Sequence, residues 1–256
     1  MTVIRSLAFN VLFYVNMTIL AFLGLPTLLM KRNAVQELAR LWARTSLWLV
    51  DTVCGTKVEF RGLENLPRGA CIIAAKHQSA LETFALTTQM ADFTFVLKRE
   101  LMGIPIFGWY LRGAEQIGIA REKRGQALAD LTRQVRQAIG EGRQVFIFPE
   151  GTRTAVGAPP AYKPGVAHLC AATGAVCAPV ALNSGLFWPR RGLLRRPGRV
   201  VIEFLAPIPA DADKQKFMRI LEGRIEAATE KLVNEAIAVD PSLKAALSPR
   251  ADAAAG

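Results

Sequence analysis

The segment Ala70-Cys71-Ile72-Ile73-Ala74-Ala75-Lys76-His77-Gln78-Ser79-Ala80-Leu81-Glu82-Thr83 decides how the rest of the chain is read. Its first six residues form an apolar run with the length and character of a buried strand. Residues 81–90 then take up helical spacing. A strand feeding directly into a helix is the repeating unit of an α/β domain. At the junction His77 leaves the strand end, and Glu82 stands five positions later at the start of the helix. A histidine oriented by a carboxylate makes a general base that works near neutral pH. Ser79 and Glu82 also fit a capping box, in which the glutamate reaches back to the serine amide. A purely structural role for Glu82 therefore stands beside the catalytic one.

Working outward, the same alternation continues. Strand-like runs are expected at 57–60, 70–75, 93–97, 116–120, 145–148, 176–182 and 200–204. Helical runs are expected at 81–90, 107–111, 123–139, 165–173 and 213–238. This predicts an α/β fold with a mostly parallel sheet of about seven strands flanked by helices. In such sheets ligands bind beyond the carboxyl ends of the strands. His77 follows the second strand, Lys98 the third, Arg121 the fourth, and Pro149-Glu150-Gly151-Thr152-Arg153 the fifth. Four segments thus bring a base, a carboxylate and several cations to one rim. Gly151 lets the backbone approach a ligand closely, and the planar fork of Arg153 suits a phosphate. Lys98 and Arg99 adjoin the apolar, aromatic stretch Gly103-Ile104-Pro105-Ile106-Phe107-Gly108-Trp109, a pairing that suits a phosphate head with a hydrocarbon tail.

The amino-terminal part has a different character. Residues 7–30 are 24 positions without a charge, and about 20 apolar residues cross a bilayer as a helix. A cleaved signal peptide fits poorly, since Arg5 is the only early cation besides the terminus and no small-residue cleavage site follows. Gly24 and Pro26 should bend or end this helix. Residues 33–52 then form an amphipathic helix, with Glu37, Arg40, Arg44 and Asp51 on one face and Leu38, Leu41, Trp42, Thr45, Trp48 and Leu49 on the other. Such a helix suits the headgroup layer. Lys31 and Arg32 after the first helix put the catalytic domain on the cytoplasmic side by the positive-inside rule. Three parts result: a membrane-associated two-helix motif (1–54), an α/β domain (55–240) and a flexible tail (241–256).

Composition narrows the partners. The net charge is +11, from 32 Lys+Arg against 21 Asp+Glu, and mean hydropathy is +0.23. A basic surface seeks anions such as lipid headgroups, phosphorylated substrates or an acidic carrier protein. Residues 186–200 add Phe187, Trp188, Arg190, Arg191, Arg195, Arg196 and Arg199, which suits anionic lipid or an acidic acyl carrier; no nucleic-acid-binding motif accompanies this charge. Cys54, Cys71, Cys170 and Cys177 lack Cys-x-x-Cys spacing, and with two histidines there is no zinc pattern, so the cysteines read as buried thiols in a reducing compartment. His168, inside an apolar helix, reads as structural.

The order His-x4-carboxylate, Lys-Arg-Glu-Leu followed by Pro-x-Phe-Gly-Trp, Ile-x-Ile-x-Arg, Phe-Pro-Glu-Gly-Thr-Arg and Ala-Pro-Val resembles the glycerolipid acyltransferases, most of all their bacterial lysophosphatidate-acylating members. The similarity spans about residues 55–185 together with the two-helix amino-terminal arrangement. It implies the glycerolipid acyltransferase fold, transfer of an acyl group from acyl-CoA or acyl carrier protein to the sn-2 hydroxyl of lysophosphatidic acid, no cofactor beyond that thioester, and the bacterial inner membrane as location. It further implies that His77 is the base and Glu82 its support. Lys98, Arg121 and Arg153 would hold the phosphate, Glu150, Gly151 and Thr152 would shape the acceptor site, and Ala178-Pro179-Val180 would line the acyl side. One departure stands out: the usual partner of the histidine is aspartate, and Glu82 is one methylene longer.

Two other classes are weighed. A serine hydrolase would need Gly-x-Ser-x-Gly, which is missing, and Ser184 in Asn-Ser-Gly has no nucleophile-elbow context. A non-enzymatic basic membrane-binding module would make His77 dispensable. Within the first class, a lyso-ornithine lipid is the alternative acceptor.

Overall fold

The computed structural model describes residues 1–120, 124–210 and 213–247. Seven strands form one sheet: β1 (Thr56–Arg61), β2 (Cys71–Ala75), β3 (Phe93–Lys98), β4 (Ile117–Ile119), β5 (Gln144–Ile147), β6 (Cys177–Leu182) and β7 (Gly198–Phe204). Their order is β1-β7-β6-β2-β5-β3-β4. Neighbours run parallel except β6 and β7, so β7 and β1 form an antiparallel flap on a parallel five-stranded core. The expected alternation is present. β2 is buried at every position, as a central strand covered on both faces must be.

Period-2 alternation sorts the core into two layers. Cys71, Ile73 and Ala75 pack with Phe84, Phe146, Val180 and Ile202 on one face. Ile72, Ala74, Val145 and Cys177 face the other, against Leu131, Val135, Val166, Leu169, Phe217 and Leu221. The helices on the second face are α5 (Arg124–Gly140), α6 (Gly165–Thr173) and α8 (Lys214–Val239). On the first face lie α1 (Thr2–Leu23), α2 (Arg32–Leu49) and the short α3 (Leu81–Ala85). Two further short helices, α4 (Phe107–Gly113) and α7 (Ser184–Phe187), cap strand connections.

α3 is shorter than the periodicity of 81–90 suggests, because Leu86–Gln89 tightens into a 3-10 turn. Thr87 and Thr88 bond back to the carbonyls of Phe84 and Ala85, the local competition that bends a helix end. The chain after α8 also differs from a wholly frayed tail. Pro241–Ala246 forms a 3-10 turn that buries Leu243; residues 248–256 lie outside the described residues.

α1 ends at Leu23, followed by Gly24 and a 3-10 turn over Leu25–Leu29, in keeping with the Gly24 and Pro26 signal. It is long and apolar enough to cross a membrane. Its docked stripe is Ser6, Phe9 and Phe13, and the two phenylalanines meet Trp42, Phe84 and Trp188. Val3, Ile4, Leu7, Val11, Val15, Ile19 and Phe22 remain exposed. α2 corrects the expected division of faces. Leu41 and Trp48 do point outward, but Arg40 is buried. Its guanidinium donates to the carbonyls of Met90 and Ala91. Trp42 turns inward onto Phe13 and Phe84. Near its start, Arg32 and Gln36 bond Asp92, whose carboxylate also meets Arg143. This polar clasp fastens α2 to the edge of β3.

All four cysteines are buried free thiols. Burial pushes the Cys71 thiol up to about 12, so it stays protonated and unreactive at neutral pH. His168 bonds the Thr132 hydroxyl at 3.1 Å, a link between α5 and α6.

Candidate active site

The parallel core directs the carboxyl ends of β2, β3, β4, β5 and β6 to one edge. β2 and β5 are neighbours, so the residues that follow them meet. The Thr154 amide donates to the His77 carbonyl at 2.8 Å. Arg153 therefore lies one residue from a direct backbone bond to His77. Gly151, with φ 67°, occupies the left-handed region that turns this loop back over the sheet. Lys98 ends β3, two strand spacings or about 10 Å from β2. Lys98 and Thr152 are exposed and Arg153 is half-buried; among the described residues neither cation has an ion-pair partner. Arg121 lies outside the described residues.

Glu82 is completely buried and fully engaged. Its Oε1 accepts from His77 Nδ1 at 2.9 Å and from the amides of Gln78 and Ser79 at 2.8 and 2.6 Å. Its Oε2 accepts from the Ser184 hydroxyl at 2.7 Å. The two backbone amides must donate, so Oε1 is an acceptor. The tautomer that matches this acceptor carries its proton on Nδ1 of His77 and leaves Nε2 as the acceptor. The imidazole is stacked on Phe148 at 3.7 Å and 18°. The two roles weighed for Glu82 are thus held together: it reaches back to the Ser79 amide as a capping glutamate and orients the histidine with the same oxygen. The longer side chain bridges the turn to α7, where Ser184 meets its far oxygen.

A second ionic group lies directly beneath. Lys76 is buried, with its ammonium 2.8 Å from Glu150 and 2.7 Å from Glu226. Glu150 also accepts the His77 amide at 3.1 Å and the Thr154 hydroxyl at 2.9 Å. Tyr162 donates to Glu226 at 2.7 Å; burial, and then the charge and hydrogen bond of Glu226, push its phenol well above the usual range, which keeps it a donor. Glu150 departs from the expectation that it shapes the acceptor site through its carboxylate. The side chain is buried and holds the β2 and β5 loops together through Lys76, His77 and Thr154. Ala178 and Val180 likewise lie inside the sheet at 0% exposure, away from any open surface.

The connection from β3 to β4 carries the aromatic segment. Leu101, Ile104, Phe107 and Trp109 are exposed. Ile106 sits at φ 64°, a strained setting for a β-branched residue of the sort found beside functional sites.

Lys76, Ser184, Thr154 and Phe148 hold His77 and its carboxylate in place, and sequence reasoning assigned none of them that role. Lys76 is adjacent to His77, and the local sequence of Ser184 suggests at most a nucleophile. The pairing of Ser184 with Glu82 spans 102 residues and leaves no local pattern.

A family model described as Acyltransferase matches residues 57–183. A Pseudomonas aeruginosa protein named 1-acyl-sn-glycerol-3-phosphate acyltransferase is 34% identical over 232 residues, which cover 88% of this chain and 90% of that one. A chloroplastic protein of the same name from Brassica napus is 30% identical over 59% of this chain and 43% of its own length. Among solved structures, the 1-acyl-sn-glycerophosphate acyltransferase PlsC of Thermotoga maritima superposes with a TM-score of 0.76 at 22% identity, covering 91% of this chain and 98% of that one. The fold is that of this structure, and the chain belongs to the acyltransferase family.

Proposed function

We propose that this protein transfers a fatty acyl group from a thioester, acyl-CoA or acyl carrier protein, to the sn-2 hydroxyl of 1-acyl-sn-glycerol-3-phosphate, giving phosphatidic acid. The observation that carries the reading is the 2.9 Å contact between His77 Nδ1 and a carboxylate, Glu82, that is completely buried. As the acceptor oxygen attacks the thioester carbonyl, Nε2 takes the hydroxyl proton. The imidazolium so formed is stabilised by Glu82. Collapse of the tetrahedral intermediate breaks the C–S bond, and the departing thiolate recovers the proton from Nε2. A thioester is already activated, so alignment and proton transfer supply the chemistry, with neither a metal nor a covalent enzyme intermediate required. Lys98, Arg121 and Arg153 are assigned to the acceptor phosphate, and Gly151 and Thr152 to the shape of its loop. The names of the relatives support this acceptor.

The membrane assignment rests on the exposed apolar faces of α1 and α2 and on Phe107 and Trp109. Together they suit insertion into anionic bilayers from the cytoplasmic side of the bacterial inner membrane, where a hydrophobic acceptor resides. The purified protein, offered lysophosphatidate, lyso-ornithine lipid and other lyso-lipids with both thioester donors, is expected to turn over lysophosphatidate. Turnover confined to a phosphate-free acceptor would refute the acceptor, and full activity of His77→Ala would refute the base.

A further inference from the structure

Beside the Thr154–His77 backbone bond lies a cavity of about 330 Å³, lined by Gln78, Thr154, Val156, Gly185, Arg190 and Arg191 among others, with Ala246 of the last turn at its border. Its wall includes the residue after the base and the residue bonded to the base's carbonyl. The Gly185 amide donates to Gln78 Oε1 at 3.1 Å. That bond fixes the Gln78 amide and turns its NH2 away from Gly185 as a spare donor. Gly185 is required for this fit: a Cβ there would stand 2.6 Å from Val156 and 3.1 Å from Gln78. No carboxylate lines the cavity among the described residues.

The basic loop beside it is divided. Arg195 lies over the ring of Trp188 and bonds Asn10. Arg196 bonds the Leu186 carbonyl. Arg199 pairs with Glu59. Arg190 and Arg191 are exposed and have no hydrogen bond or ion pair among the described residues. The loop's two uncommitted cations are thus the two that line the cavity. Guanidinium pairs of this kind suit a phosphate, and the fixed amide donor suits the carbonyl of an amide-bearing chain.

We propose that this cavity receives the phosphopantetheine arm of the acyl donor, with its phosphate on Arg190 and Arg191 and an amide carbonyl on Gln78. The thioester carbon then approaches His77 past Gln78 and Thr154. This rests on the thioester reading given above. CoA and acyl carrier protein share the arm, so the site serves either donor.

The test is steady-state kinetics of the full-length protein in detergent, wild type against Arg190→Gln/Arg191→Gln. Donors are acyl-CoA, acyl carrier protein, acyl-phosphopantetheine and acyl-pantetheine. The double variant is expected to raise KM for each phosphate-bearing donor about tenfold, to leave acyl-pantetheine unchanged, and to leave KM for the lyso-lipid unchanged. A rise in the lyso-lipid KM instead, no change for any donor, or a change confined to one of CoA and carrier protein would each overturn the assignment. So would weaker binding to anionic vesicles with all KM values unchanged. CoA binding by calorimetry separates the two readings: saturable binding lost in the double variant supports the cavity even if no lyso-lipid is acylated, which would sink the acceptor reading alone.

Discussion

Lys76 and Lys98 follow strands of the same sheet edge and carry the same charge, yet their surroundings are opposite. Lys76 is sealed between two carboxylates, whereas Lys98 stands in the open. The contrast extends to the whole site. Around the imidazole, the buried pairs Lys76–Glu150 and Ser184–Glu82 are each hydrogen-bonded; at the rim, Lys98, Arg153, Arg190 and Arg191 have no ion-pair partner among the described residues. A buried charge without its partner is strongly destabilising, so the floor must be complete before substrate arrives. An exposed cation has little cost when unpaired and gains most from a phosphate, so the rim is left unfinished. On the proposed function, reactivity would be fixed by the fold and affinity added by the ligand.

Substitutions on either side of that boundary should behave differently. His77→Ala removes the proton acceptor at the boundary itself. It should lower kcat about 10³-fold, with thermal unfolding little moved. Lys76→Met leaves the Glu150 carboxylate buried without its cation, and should destabilise the fold by about 3–5 kcal/mol in denaturant titration; Lys98→Met should stay within about 0.5 kcal/mol of wild type. If those two losses are equal, the distinction between floor and rim is false. Glu82→Gln keeps the shape and removes the charge that stabilises the imidazolium, so kcat should fall about 10²-fold in single-turnover assays. Arg153→Ala should raise KM for lysophosphatidate about tenfold with kcat and Tm nearly unchanged.

The smallest effect is a dependence on pH away from the site. Burial of Asp92 favours its neutral form, but hydrogen bonds from Gln36 and Arg32 and the charge of Arg143 outweigh this and hold its carboxyl below the usual range. A depressed acid contributes stability above its unfolded pKa, about 3.9, and loses that contribution as pH falls through its folded value. The clasp of α2 should therefore loosen below about pH 4. Thermal unfolding followed against pH should show a shallower acid slope in Asp92→Asn.

The periodic parts of this molecule were legible in the chain. The apolar run before His77 had to be a central strand, and strand–helix alternation implied a parallel sheet whose carboxyl ends gather His77, Lys98 and the Pro149–Arg153 loop. The reversed flap of β7 and β1 was not legible, since a strand's direction leaves no trace in its composition. Helical spacing groups Arg40 with the charged face because it knows nothing of the Met90 and Ala91 carbonyls it bonds across the core. Glu150 sits in a motif that suggests ligand contact, and only the approach of Lys76 across 74 residues shows where its charge is used. Local sequence carries periods and turns; partners brought together by the sheet are carried by topology.

α1 looks like a detachable anchor, but Ser6 accepts the Arg195 amide at 2.8 Å and the Asn10 side chain binds both the Leu193 carbonyl and the Arg195 guanidinium. Shortening the gene to begin near Lys31, the obvious route to a detergent-free preparation, would strip the lid from Phe84, Trp42 and Trp188. It would also unfasten the loop that bears Arg190 and Arg191. The trimmed product would precipitate rather than dissolve, and a soluble version is better sought by recolouring the outer face of this helix than by cutting it away.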